Sequence, residues 1–278
     1  MRRIERPPAL PARPVDGHKG MFGRVLVFGG SAQMIGAPVL AGTAALRTGS
    51  GLVQIALPGA VLATAISAAP ELIGLSLGQG GEGLLDAAQK ADVIVAGPGL
   101  GQSSPVAKNL DRLFRLDKYM VVDADALNYL ASLKSWPRSF KANAVLTPHP
   151  GEMKRLAKLL NRDDVPSDES GRIRLAVTAA RRFRQVMVLK GHRTVVTDGK
   201  RVYVNKTGDS SLSKAGAGDV LSGILASLIG QGMERFEAAC AATFLHGKAG
   251  ELAGKKLGRR SVLAREVIDA ISAAIEAI

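Results

Sequence analysis

The chain has 278 residues, 46% hydrophobic and 22% charged, enough for one large domain or two small ones with a substantial core. Its formal charge of +13 favours anionic ligands. Aromatics at 4% argue against a base-stacking platform, no apolar run reaches the length of a membrane span, and a single cysteine excludes an internal disulfide framework. The Lys and Arg are scattered, with small clusters only at "RRFR" and "KKLGRR". They read first as a solvated surface, and second as the signature of a phosphate-rich small substrate. Cys240, inside "AACAATF", reads as a buried inert thiol, and a reducing cytoplasm fits it.

In chain order, residues 1–17, "MRRIERPPALPARPVDG", are basic and Pro-rich without an apolar h-region. They read as an arm and not a signal peptide. "RVLVFGG" (24–30) is an apolar run ending in glycines, a buried strand entering a loop. Residues 36–49 follow with helical spacing, Pro38 near the start and Gly49 at the end. Strands are predicted at 51–58, at 91–101 ending in "GPGLG", at 119–127 ending in Asp123 and Asp125, and at 144–152. Pro150 suits a first helical turn, and Met153, Leu156 and Leu160 give that helix its apolar face. A helix is expected around 171–184. "VMVLKG", "RTVVTDGK" and "RVYVNKTG" then crowd together, with "DGK" as a hairpin signal. From Asp219 onward the chain reads as helical. Residues 18–278 are therefore predicted to form a single α/β domain, a three-layer α/β/α sandwich. Its sheet should be mostly parallel with an antiparallel part near its end.

In such sheets ligands bind beyond the carboxyl ends of the strands. The loops there are "GGSAQMIGA", "GPGLG", "DADAL", "TPHPGE", "KGHRT" and "KAGAGD". "GPGLG" offers unobstructed amides, but a tight turn explains it equally, and it is neither a dinucleotide GxGxxG nor a Walker loop. "AGAGD" is more informative. An apolar helical run follows it, so it sits at a helix N-terminus where free amides attract an anion. Asp219 there is a general base or, more plainly, a helix cap. Asp123 and Asp125 either bind magnesium through water or cap the next helix. Glu152 supports a first helical turn. The histidines at 18, 149, 192 and 246 lack zinc-ligand spacing, and His246 reads as structural.

"AGAGD" resembles the GAGD anion-hole signature of the ribokinase-like superfamily, and "TPHPGE" resembles its TPNxxE segment. A closer resemblance runs from His18 to the last helices, through "HKGMFGRVLVFGGS", "GAPVLAGTAALRTGSGLV", "VAGPGLG", "VVDADALN", "LTPHPGE", "VLKGHRTVV" and "GDVLSG". It is to the ADP/ATP-dependent NAD(P)H-hydrate dehydratases. That resemblance implies a ribokinase-like fold and repair of NADH or NADPH hydrate. The added hydroxyl would be phosphorylated by ADP, or by ATP, and eliminated as phosphate. It implies Asp219 as base, and Gly216, Ala217 and Gly218 as anion hole. Ala37, Gly99, Gly101, His149 and Asp219 would bind the hydrate. Lys190, Gly191, His192, Arg193, Thr194, Asn205 and Gly218 would bind the nucleotide. Mg2+ would ride on the phosphates, with Glu152 as the one candidate protein ligand. It further implies a cytoplasmic homotetramer served by a separate epimerase, with neither a specific nucleic acid nor a membrane as partner. The family usually reads near "GNPGMATGGTGD" where this chain has "GDSSLSKAGAGD". Asp209, Lys214 and Ala217 are the departures: either Lys214 adds charge near the transferred phosphate, or the loop has drifted toward the kinase pattern. The competing readings are a vitamin-precursor kinase of the same superfamily and a weakly catalytic nucleotide-binding or nucleic-acid-associated protein.

Overall fold

The structure, a computed structural model, describes residues 1–78 and 80–278. The chain opens on a short strand, Arg2–Ile4 (β1), within the segment read from sequence as a Pro-rich arm. Strand Arg24–Phe28 (β2) leads through a glycine loop to helix Gly36–Arg47 (α1). Strand Leu52–Pro58 (β3), helix Gly59–Ala68 (α2), strand Ile73–Leu77 (β4) and helix Leu84–Lys90 (α3) follow. The alternation continues through Val93–Ala96 (β5), Ser104–Phe114 (α4), Tyr119–Val122 (β6), Ala124–Ser132 (α5), Asn143–Leu146 (β7), Pro150–Ala157 (α6) and Glu169–Phe183 (α7). Val186–Leu189 (β8), Val195–Thr197 (β9) and Arg201–Val204 (β10) come close together. The chain ends on helices Ala217–Gly230 (α8), Arg235–Leu257 (α9), Ala264–Asp269 (α10) and Ile271–Ile275 (α11).

The described strands form one sheet in the order β1-β10-β9-β8-β7-β6-β5-β2-β3-β4. Strand β9 is antiparallel to both neighbours, and the remaining pairings are parallel. The "DGK" hairpin is present: Asp198 Oδ1 accepts from the amides of Lys200 and Arg201, and Gly199 takes φ +88°. Alternation along the central strands divides the core in two. Val25, Val27, Val93, Val95, Val121, Val186 and Val188 face the layer of α1, α2 and α8–α11. Leu26, Phe28, Ile94, Met120, Leu146, Met187 and Leu189 face α3–α7. Both faces are covered, which is why these strands read as unbroken apolar runs. The result is the expected three-layer α/β/α sandwich.

Helix α8 lies tightly on α1. A Cβ on Gly223 would come within 2.1 Å of the Ala41 carbonyl oxygen, so glycine is needed there. This close approach fixes α8, whose N-terminus carries the "AGAGD" loop at the carboxyl rim of the sheet. The N-terminal segment also packs on the domain. Arg13 donates to the Gly49 carbonyl at 2.8 Å and lies 3.7 Å over the Phe22 ring. No helix among the described residues is long and apolar enough to cross a membrane.

Candidate active site

The sheet changes direction between β2 and β5, which are neighbours although separated in sequence. Ligands bind at such switch points. Here the two following loops are pressed together. The Gly30 amide donates to the Pro98 carbonyl at 2.7 Å. Gly99 has φ +68°, and a Cβ on it would lie 3.2 Å from that of Ala37. Ala37 and Gly99 are therefore adjacent, as two residues lining one ligand must be. Gly101, φ +73°, faces open space, and its amide donates to Asp125 Oδ2 at 2.8 Å. Asp125 also accepts from the side chains of Gln102 and Asn128. It shapes the "GPGLG" loop.

Asp123 has a different duty. It is 2% exposed. It accepts from the Ala124 amide at 2.9 Å, from Ser222 Oγ at 2.8 Å and from Lys190 Nζ at 2.7 Å. Asp123 is thus the N-cap of α5, whereas Asp125 braces the neighbouring loop instead of capping the helix. Lys190 Nζ lies 3.9 Å from Glu152 Oε2 as well, and Asp219 adds to the negative field around it. Those three carboxylates hold the ammonium charged despite its burial. A lysine thus fills the place where a cation would sit among Asp123, Glu152 and Asp219. Among the described residues no three His, Cys, Asp or Glu side chains are grouped as a metal cage. Glu152 is engaged besides: its Oε2 accepts from the His149 amide at 2.8 Å. The residues do not fit a resident metal.

His149 is the N-cap of α6 and closes a capping box with Glu152. Its Nδ1 accepts from the amides of Gly151 and Glu152 at 3.0 and 3.4 Å. That fixes the proton on Nε2. Burial, then Lys190 and Arg155, hold its pKa below the usual histidine value, so the ring is neutral, with its Nε2–H 3.3 Å from Glu152 Oε1.

Helix α8 begins at Gly216, which takes φ +90° as N-cap. The Ala217 amide turns back to the Lys214 carbonyl at 3.3 Å. Among the described residues the amides of Gly218 and Asp219 have no carbonyl partner, so the free donors lie one position further along than Ala217. A Cβ on Gly218 would sit 3.4 Å from Lys190 Nζ. The ammonium and the free amides therefore converge on one place suited to an anion. Asp219 is in the same first turn. Its carboxylate receives no hydrogen bond among the described residues. Burial, then the nearby Asp123 charge, push its pKa up to about 7, against the opposing pull of Lys190. A carboxyl in that state is matched to proton abstraction near neutrality.

The "KGHRT" segment is held by a residue the sequence reading did not single out. The guanidinium of Arg172, on α7, donates to the carbonyls of Leu189, Lys190, His192 and Arg193. It is 8% exposed. Gly191 at φ +138° and Arg193 at φ +57° give the loop its tight path around that cation. Thr194 closes it, with Oγ1 donating to the Gly191 carbonyl at 2.9 Å. Arg172→Met leaves those carbonyls without their donor. It is expected to lower stability by about 2–4 kcal/mol and nucleotide affinity about tenfold. Thermal unfolding and calorimetric nucleotide titration measure the two effects.

Asn205 has no free donor for a ligand. Its Nδ2 reaches the carbonyls of Thr207 and Thr243 at 3.1 and 2.9 Å, and its Oδ1 accepts from Tyr203 and Thr207. It braces the loop after β10. Lys214 does not point at the anion site as expected. Its ammonium donates to the Arg260 carbonyl, because the α9–α10 turn offers an acceptor there. Asp209 caps the next helical turn at the Ser211 amide and pairs with Arg259 Nε at 2.7 Å. These two departures from the family loop tie it to the C-terminal helices.

The fold and this rim define a ribokinase-like protein. The NAD(P)H-hydrate dehydratase family profile matches residues 25–273. A Neisseria meningitidis serogroup B relative, described as an ADP-dependent (S)-NAD(P)H-hydrate dehydratase, is 39% identical over 282 residues, covering 95% of this chain and 88% of its own. A Moorella thermoacetica relative, a bifunctional NAD(P)H-hydrate repair enzyme, is 40% identical over 94% of this chain, which spans 50% of that longer protein. The crystal structure of the Bacillus subtilis ADP/ATP-dependent NAD(P)H-hydrate dehydratase, co-crystallised with ATP/Mg2+, superposes with a TM-score of 0.83 at 30% identity. The two chains are covered to 97% and 94%. The chain belongs to the NAD(P)H-hydrate dehydratase family.

Proposed function

We propose that this protein dehydrates the S epimer of NADH or NADPH hydrate at the expense of ADP, releasing NAD(P)H, AMP and phosphate. The observation that carries the reading is the placement of Asp219: a half-buried carboxyl without a hydrogen-bond donor among the described residues, its pKa pushed up to about 7, in the first turn of α8 beside free amides and Lys190. The relatives support the substrate.

Asp219 takes the proton of the hydrate hydroxyl as that oxygen attacks the terminal phosphorus of ADP. The bond from that phosphorus to the bridging oxygen breaks, and AMP leaves. The transferring group carries negative charge, which the amides of Gly218 and Asp219 and the Lys190 ammonium stabilise. The phosphorylated hydrate then loses phosphate. The ring nitrogen's electron pair drives the carbon–oxygen bond apart, and the neighbouring carbon gives up a proton. Hydroxide is a poor leaving group and phosphate a good one, so the nucleotide is consumed. Ala37, Gly99 and Gly101 provide a close floor for the hydrate, and His149 a polar contact. Residues 190–194 cradle the nucleotide on the Arg172 scaffold. Mg2+ belongs to this reading as a passenger on the nucleotide phosphates, and no step is assigned to it.

The pH profile tests the base. With Asp219 required ionised, kcat/KM should rise with pH and level off above about 7. A rate independent of pH from about 5 to 8 would remove Asp219 from the role. His149→Asn keeps a capping side chain at α6. It is expected to raise KM for the hydrate about tenfold while leaving KM for ADP unchanged, by initial-rate kinetics. A homo-oligomer, a cytoplasmic setting consistent with the buried free thiol of Cys240, and a separate epimerase supplying the S form complete the proposal.

A further inference from the structure

A cluster of cationic side chains outside any ion pair among the described residues lies at the opposite rim of the sheet. A cavity of about 580 Å³ opens where β7 and β8 begin, lined in part by Trp136, Arg138, Phe140, Lys141, Arg182 and Arg184. The active-site loops leave the other ends of the same strands, about 13 Å away for a four-residue strand. Among the described residues none of these four cationic side chains is in an ion pair, and no carboxylate lines the cavity. Asp117 reaches its edge only by accepting from Asn143 Nδ2 at 2.8 Å. Four like charges around one concavity repel one another, and a bound polyanion relieves that repulsion through charge-assisted hydrogen bonds.

The aromatic lining adds a second requirement. Trp136 stacks on Phe183, centroids 4.3 Å apart and planes 17° apart, and tilts against Phe140 at 4.8 Å. This cluster lies beside the cations in an otherwise aromatic-poor chain. The floor is rigid: Gln185 accepts from the Ala144 amide at 2.7 Å and donates to the Ala142 carbonyl at 3.2 Å. A second concavity of about 690 Å³ shares Arg184 and Gln185 and adds Arg181, Lys200 and Arg235. Its acidic groups, Asp198 and Glu234, are engaged by Arg201 at 2.7 and 2.9 Å. The positive field therefore continues past the first cavity.

We infer that this cavity is a second nucleotide site, taking a nucleoside polyphosphate with its base against the Trp136 cluster and its phosphates among Arg138, Lys141, Arg182 and Arg184. A pocket of several hundred cubic ångströms matches a ligand of that size. Aromatic stacking and clustered cations are the two features such a ligand needs. It also gives the "RRFR" cluster a role that the catalytic rim does not use.

Trp136 is the one tryptophan of the chain and reports on its own cavity. Tryptophan fluorescence is followed while ATP, and separately inorganic tripolyphosphate, is titrated into the full-length protein and into the Arg138→Ala/Arg182→Ala double variant. Saturable changes with both probes are expected, tighter with ATP, and weakened about tenfold or more in the variant. The variant's dehydratase turnover should equal that of the parent protein, since both arginines are exposed and distant from the rim. No saturable change up to millimolar ATP would overturn the inference. So would an equal response in the variant, which would place the signal at the catalytic rim. Binding of a single-stranded oligonucleotide without binding of ATP would overturn it in favour of a nucleic-acid surface.

Discussion

Asp219→Asn should lower turnover about 10²–10⁴-fold, the range that a positioned general base contributes, with ADP affinity nearly unchanged. The amides of the α8 first turn are backbone groups and survive the substitution. The same variant should be more stable than the parent above neutral pH. A carboxyl with an unfolded pKa near 3.9 and a folded value of about 7 is stabilised by folding only in its protonated form. The parent therefore loses stability as pH rises through that window. At about 1.4 kcal/mol per unit the loss approaches about 4 kcal/mol as an upper bound. Asparagine carries no such cost. Thermal unfolding should show the variant ahead at about pH 8 and level with the parent near pH 4. Near-parental turnover in Asp219→Asn would disprove the base assignment whatever its stability.

Lys190→Met should damage both fold and function. Asp123 and Glu152 are 2% and 5% exposed, and the ammonium is their counter-charge. Leaving buried carboxylates unpaired costs about 3–5 kcal/mol. These acids would then be protonated more readily in the folded state, so the deficit should grow with pH and shrink on acidification. The substitution also removes the one influence that lowers the Asp219 pKa. Any remaining activity should have its rising limb displaced to higher pH. Differential scanning calorimetry across pH, paired with initial rates, reads both effects. An unchanged melting temperature would show that Lys190 is not the keystone of the carboxylate cluster.

Much of the fold is written in local patterns. The valine-rich strands "RVLVF", "VIVA", "YMVV" and "VMVL" are buried on both faces past their first residues and announce themselves as apolar runs. Glycine-bearing loops follow three of them, β2, β5 and β8, where close backbone approach at the carboxyl rim demands glycine, and β6 is followed by Asp123 and Asp125 instead. Strand β4 escaped because it is an edge. Its outer residues, Ile73 among them at 46% exposed, give no burial pattern, and Gly74 interrupts it. Strand β1 escaped because its three residues pair with β10 from 199 positions away, Arg2 with Arg201, a contact no local pattern encodes.

In the site, Asp219 and the "AGAGD" loop were legible because a helix N-terminus after glycines has a physical meaning. The partners were not. Lys190 and Asp123 stand 67 residues apart, and only the sheet order brings β6 and β8 loops together around them. Arg172 looks in sequence like any solvated helical arginine, yet it anchors the carbonyls of Leu189, Lys190, His192 and Arg193, around the segment proposed to hold the nucleotide. Lys214 misled in the other direction. Its charge in the loop suggested a phosphate ligand, but the α9–α10 turn captures it.

One measurement reaches the central claim most directly. The protein is mixed with the S epimer of NADPH hydrate, ADP and magnesium, and both reduced nicotinamide absorbance and phosphorus species are followed. The expected result is recovery of NADPH with one AMP and one phosphate formed per hydrate consumed. Accumulation of a stable phosphorylated product without NADPH would make the protein a kinase, and no recovery with either ADP or ATP would contradict the dehydratase reading outright.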